Sequence, residues 1–145
     1  MNIQAINNTR NTSFKSKIRR TNVLGFGFNR AIELGDKGFF NAIKHLANDG
    51  LNREILVGGS NSTTKRFVSA TATLGVDNIE YSLKSWKFTK PNFDGFDLMG
   101  ENAIKLIKKL AAETGNISKK TLKEKATPDE LVKECNDIYG TILIG

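Results

Sequence analysis

The chain is predicted to fold as an α+β domain. Its small antiparallel sheet has three or four strands with two helices packed on one face, in the order β-α-β-β-β-α plus a C-terminal helix. Three observations predict it. Two stretches, 37–49 and 101–114, repeat apolar residues at helical spacing between a capping residue and a glycine. Stretches 65–74 and 79–83 alternate apolar and polar residues, the period of a half-buried strand. Thr127-Pro128-Asp129-Glu130 opens a last helix with a capping box.

Each element follows from its residues. Residues 1–13 are rich in Asn and Thr and read as a mobile tail. Over residues 14–20, Phe14, Ser16 and Ile18 alternate with Lys15, Lys17 and Arg19, so a strand here lines cations along one face. Residues 23–28 alternate as well, with Leu24, Phe26 and Phe28 on one side and Gly25 and Gly27 on the other. A second extended stretch is expected there, and 31–34 continue it. Asp36 is a good N-cap for a helix bearing Phe39, Phe40, Ala42, Ile43, Leu46 and Ala47. A short strand is expected over 54–57, followed by a loop over 58–64, where Gly, Ser, Asn and Thr offer nothing that packs. The strand at 65–74 places Val68, Ala70, Ala72 and Leu74 on its apolar face, and 75–78 turn the chain. Ile79, Tyr81 and Leu83 begin the next apolar face, but the large residues then switch parity to Trp86 and Phe88. Either a β-bulge near Lys84 or Ser85 restores a common face, or these two rings cover the other side of the sheet. The bulge is the preferred reading.

Pro91 stops that strand, and 93–97 form a loop in which Asp97 is a candidate cap for the helix containing Glu101. Ala103, Ile104, Ile107, Leu110 and Ala111 make its apolar stripe, and Gly115 ends it. In the final helix Leu131, Cys135 and Ile138 share a stripe, so Cys135 reads as a small core residue, with Gly140 as the stop. Residues 141–144 are apolar enough to dock, as an edge strand. The organisation is then a tail over 1–13, one α+β domain over 14–115, a Lys-rich linker over 116–126, and a C-terminal helix with docked tail over 127–145.

Charge is unevenly placed. The net charge is +7, from 22 Lys and Arg against 15 Asp and Glu. Residues 1–30 hold Arg10, Lys15, Lys17, Arg19, Arg20 and Arg30 with no acid, which leaves +1 for the other 115 residues. A nearly neutral domain with a basic leader points to RNA, DNA or an acidic protein as partner. Lys15, Lys17, Arg19 and Arg20 are the candidate phosphate contacts. If each meets one phosphate of a duplex, the log–log salt slope is about −4. Lys84, Trp86, Lys87, Phe88 and Lys90 form a second basic and aromatic cluster, where lysines hold a backbone while the ring stacks. A Trp on a strand is more often packed than exposed, and packing is the preferred reading for Trp86.

Several chemistries find no support. No stretch approaches 18 apolar residues, residues 1–20 lack the apolar centre of a signal peptide, and a single Cys forms no internal disulfide. A cytoplasmic protein without a membrane segment is expected. His45 has no second His or Cys for a metal set and no orienting partner, and it reads as a surface or boundary side chain. Asp94, Asp97 and Glu101 lack the spacing of a calcium loop, and no phosphate-binding loop or nucleophile elbow is present. No catalytic residue, metal or cofactor is assigned. The expectation is a non-enzymatic binding module for nucleic acid or a ribonucleoprotein surface, acting through the basic arm. The alternative is a protein-interaction module that binds an acidic partner through the arm or an exposed sheet face.

Two resemblances bear on this expectation. Gly25-Phe26-Gly27-Phe28 resembles the core of the submotif shared by RNA recognition motifs and cold-shock domains, in which strand aromatics stack on bases. Leu24, Asn29 and Ala31 depart from the flanking pattern, so Phe26 and Phe28 read as core residues. The element order over 14–115 resembles that of the ribosome-hibernation factor family and, more loosely, of double-stranded-RNA-binding domains. That likeness implies helices on one sheet face and an exposed opposite face. The lysine cluster that opens the last helix of the latter family is replaced here by Met99-Gly100-Glu101-Asn102, so no site residue is carried over.

Overall fold

The computed structural model describes residues 15–88 and 94–145. The tail expected over 1–13, together with Phe14, Lys90, Pro91 and Phe93, lies outside the described residues. The fold is α+β, built from β1 (Lys17–Arg19), α1 (Asn22–Leu34), α2 (Lys37–Ala47), β2 (Glu54–Thr63), β3 (Phe67–Val76) and β4 (Ile79–Phe88). The chain continues through α3 (Gly95–Glu113), α4 (Lys119–Leu122), α5 (Pro128–Thr141) and β5 (Leu143–Ile144). The five strands form one sheet in the order β4-β3-β2-β1-β5. It is mixed: the β2–β3 and β3–β4 pairs are antiparallel, while β1 is parallel to both β2 and β5. The expected sheet of three or four antiparallel strands is therefore corrected to five strands of mixed direction, and the expected order β-α-β-β-β-α plus a helix to β-α-α-β-β-β-α-α-α-β. The docked tail supplies one of these strands, and it pairs with the chain's own N-terminal strand.

The largest correction falls on residues 22–34, which are helical rather than extended. Thr21 starts the helix: its Oγ1 accepts from the Leu24 N–H at 3.1 Å and donates to the Val57 carbonyl at 2.7 Å. Val23, Leu24, Gly27, Phe28 and Ala31 are buried, a helical stripe that the alternating glycines disguised as a strand. Of the two, Gly27 serves packing. A Cβ on Gly100 of α3 would come within 2.6 Å of the Phe26 carbonyl, and one on Gly27 would touch Phe39 and Ala103. Small residues on both helices thus let α1 and α3 cross closely. Phe28 is a core residue in edge-to-face contact with Phe39 and Phe40, and Phe26 lies against Phe96, so neither ring is presented on a sheet. Replacing Thr21 by Ala removes a cap and leaves the Val57 carbonyl without this donor. A loss of about 1–2 kcal/mol is expected in urea unfolding, with the slope m unchanged.

Strands β2 to β4 form a meander of ten-residue strands. The 58–64 stretch is strand up to Thr63, because Gly58 through Thr63 pair with Thr73 through Val68. The turn itself is held by Thr64, whose Oγ1 accepts from the Arg66 and Phe67 N–H groups. Between β3 and β4 the register runs without interruption from Val76 opposite Ile79 to Phe67 opposite Phe88. No bulge shifts the parity, and Trp86 and Phe88 do cover the other side of the sheet. Val57, Val68, Ala70, Ala72 and Leu74 face α3 and are buried. Fully buried Asn102 of α3 fixes the register: its amide donates to the Ala70 carbonyl at 3.2 Å and to Ser85 Oγ at 2.8 Å.

Two of the three expected caps hold, with shifted bounds. Asp36 accepts from the Phe39 N–H, and Thr127 from the Glu130 N–H with Pro128 behind it. Helix α3 begins earlier than expected, capped by Asp94 rather than Asp97. Helix α5 runs through Gly140, which therefore does not end it. Between them, residues 116–126 are folded: α4 lies in this stretch, Leu122 is buried, and Gly38 N–H donates to the Glu124 carbonyl at 3.1 Å.

Candidate functional site

One face of the sheet carries the helices; the other is bare among the described residues. Because directly opposed residues of an antiparallel pair share a face, the pairing fixes what the bare face displays. Its middle is a strip of small polar residues: Gly58, Ser60 and Ser62 of β2, then Ser69, Thr71 and Thr73 of β3, then Ser82 of β4. At the end near the β2–β3 turn, the strip gives way to three rings. Phe67 lies opposite Phe88, and Trp86 lies opposite Ser69. The Phe67 and Trp86 rings are 6.3 Å apart and those of Trp86 and Phe88 5.5 Å apart, both edge-to-face. Their exposures are 39% for Phe67, 60% for Trp86 and 68% for Phe88. Trp86 is therefore not packed into the core, contrary to the preferred sequence reading.

Charge divides this face. Exposed Lys65 and Arg66 stand on the turn beside the rings, and Lys84 lies on β4 one pleat from Trp86. The carboxylates of the bare face, Glu54 and Glu80, gather with Asp77 at the opposite, β3–β4 turn end. Six residues along β4 separate Glu80 from Trp86, about 20 Å. One end is thus aromatic and basic; the other sets Glu54, Asp77 and Glu80 beside Arg19.

The residues singled out from sequence do not form one cluster. Lys84 and Trp86 share the bare face, but Lys87 points to the helix side, 3.6 Å from Glu101. Lys15 and Lys17 are exposed on and beside β1. Arg19, also on the bare face, donates through Nε and Nη2 to Glu54 Oε1 at 2.9 and 2.5 Å. Arg20 donates to the Tyr139 carbonyl at 3.1 Å and lies over that ring. Burial pushes the Tyr139 phenol up, Cys135 adds to this, and Arg20 opposes it. Three strand spacings across and six residues along put Arg19 about 25 Å from Trp86, at opposite corners of the face. Lys65, Arg66 and Phe67 went unnoticed because the turn beside them was read as a loop starting at residue 58. The signal was present: three aromatics within two strands at positions that pair.

The groups considered for catalysis have structural partners. His45 Nε2 is 2.7 Å from Thr114 Oγ1, which itself donates to the Ala111 carbonyl, so the imidazole nitrogen is the donor. Glu101 pairs with Arg30 at 2.9 Å, and Asp94 accepts from the Asp97 N–H at 2.8 Å as the cap of α3. Burial pushes the Cys135 thiol up, away from thiolate chemistry. Among the described residues no cluster of His, Cys, Asp and Glu could hold a metal ion, and no helix is long and apolar enough to cross a membrane. The chain matches no protein-family model, no curated protein and no solved structure in the three comparisons made.

Proposed function

We propose that the protein is a non-enzymatic binding module whose bare sheet face holds single-stranded nucleic acid. Bases stack on Trp86 and Phe88, and phosphates meet Lys65 and Arg66. The observation that carries this reading is the exposed ring cluster at the end of the face that has cations and no carboxylate. Stacking is indifferent to sequence because every base has a π-face, and each stacked base contributes about 1–3 kcal/mol. The Ser and Thr strip adds hydroxyl donors and acceptors without raising the surface, so an unpaired chain can lie flat along it. A duplex offers its bases only in grooves and gains nothing from a flat aromatic patch. The basic leader takes a smaller part than the sequence suggested. Arg19 and Arg20 are engaged within the fold, leaving Lys15 and Lys17 as its exposed cations in the described residues.

The reading is tested by fluorescence anisotropy of a labelled oligouridylate of about 12 nucleotides, a length within single-strand site sizes. Two phosphate contacts give a log–log salt slope of about −1.4. Replacing Lys65 and Arg66 together by Ala is expected to flatten the slope, while replacing Lys15 and Lys17 leaves most of it. The reverse pattern moves binding to the leader and overturns the placement. Absence of binding at low salt overturns the nucleic-acid reading altogether.

A further inference from the structure

Strand β4 ends the sheet, and no described strand pairs with its outer edge. Ten residues long, it exposes a row of backbone donors and acceptors. Nothing within it blocks a second strand: it has no proline, and its pairing to β3 is regular from end to end. We propose that this edge pairs antiparallel with β4 of a second copy, joining two sheets into one of ten strands.

The charges on β4 select the register. A two-fold axis keeps bare face on bare face, so outward residues must oppose outward residues. Centring the pair on Lys84 sets two lysines against each other. Centring it on Leu83 pairs no charges. Centring it on Ser82 sets Glu80 of each copy opposite Lys84 of the other, on the bare face. The same register places Tyr81 opposite Leu83 twice on the helix side, where both are half-buried and packed on the core. Glu80 and Lys84 are exposed, and among the described residues neither takes part in an ion pair, so both are available. In this dimer the partner's carboxylate takes up Lys84, and Lys65 and Arg66 remain for the phosphates. The two Trp86 patches then lie on one continuous face, about 27 Å apart along the seam.

The pairing stands apart from the nucleic-acid reading, and sedimentation equilibrium of the full chain without ligand tests it. The wild type is expected to be a dimer. Glu80→Lys and Lys84→Glu each set like charges opposite one another and weaken the dimer at least about tenfold. The double variant exchanges the signs and restores it, which a misfolded chain or an interface elsewhere cannot do. A wild type that stays monomeric to its solubility limit overturns the proposal. Single variants that dimerise as well as the wild type, or a double variant that does not recover, also overturn it.

Discussion

Trp86→Ala is expected to weaken binding of single-stranded oligonucleotide by about ten- to a hundredfold, while the fold stays intact. The size follows from stacking one to two bases, about 1.4–2.8 kcal/mol. Thermal stability is expected to fall by less than about 1 kcal/mol, because Trp86 is mostly exposed and gives up only its cross-strand contacts. This separation of binding from stability is what marks a surface ring as functional. Phe88→Ala is expected to act in the same direction with a smaller loss, since its ring lies at the margin of the patch. The salt slope should be unchanged in both, as neither variant removes a cation. A Trp86→Ala protein that binds as tightly as the wild type removes the aromatic patch from the mechanism.

The largest effect on stability is expected at Gly38. A Cβ there would lie 1.8 Å from the Leu122 carbonyl oxygen and 2.4 Å from its carbon. The obstacle is backbone, so no rotamer change relieves it. Gly38 N–H bonds Glu124, Asn41 Nδ2 donates to the Thr121 carbonyl, and Ala126 N–H donates to the Gly35 carbonyl. The 121–126 segment is therefore clasped along the start of α2. Gly38→Ala forces that segment away and exposes Leu122. A loss of about 3 kcal/mol is expected, near the upper end for overpacking, or roughly 10 °C in a chain of this size. Gly140→Ala is the matched contrast. Nothing lies within 4 Å of its Cβ position, and the residue sits in exposed helix. There the substitution is expected to stabilise by up to about 1 kcal/mol. Differential scanning calorimetry on the two variants reads both signs.

What could be read from the residues and what could not divide along physical lines. Asp36 and Thr127 act on N–H groups three residues away and Pro128 through its own fixed φ, so these helix starts were legible. The alternation of β3 was legible too, because one face is buried and the other is not. Residues 22–34 misled because Gly25 and Gly27 produce a strand-like alternation. The actual use of Gly27, letting α1 approach α3, depends on Gly100 some 70 residues further on. Residues 58–63 misled for the opposite reason. Small polar residues favour turns locally, but nine-residue pairing to β3 overrides that preference. Parallel pairing of β1 with β5 joins the two ends of the described chain, and no local pattern encodes it. At the candidate site, the sequence supplied Trp86 and Lys84 but not their surroundings. Which face they share, and that Lys87 is not on it, follows from strand register alone.

The central claim is that bases stack on Trp86, and the protein carries its own probe because this is its one tryptophan. The decisive measurement is Trp86 emission during titration with unlabelled oligouridylate, with an anisotropy titration run alongside to establish occupancy. Stacking predicts strong quenching that saturates with binding, together with reduced accessibility of the remaining emission to acrylamide. Full occupancy by anisotropy with emission and acrylamide accessibility unchanged would contradict the account.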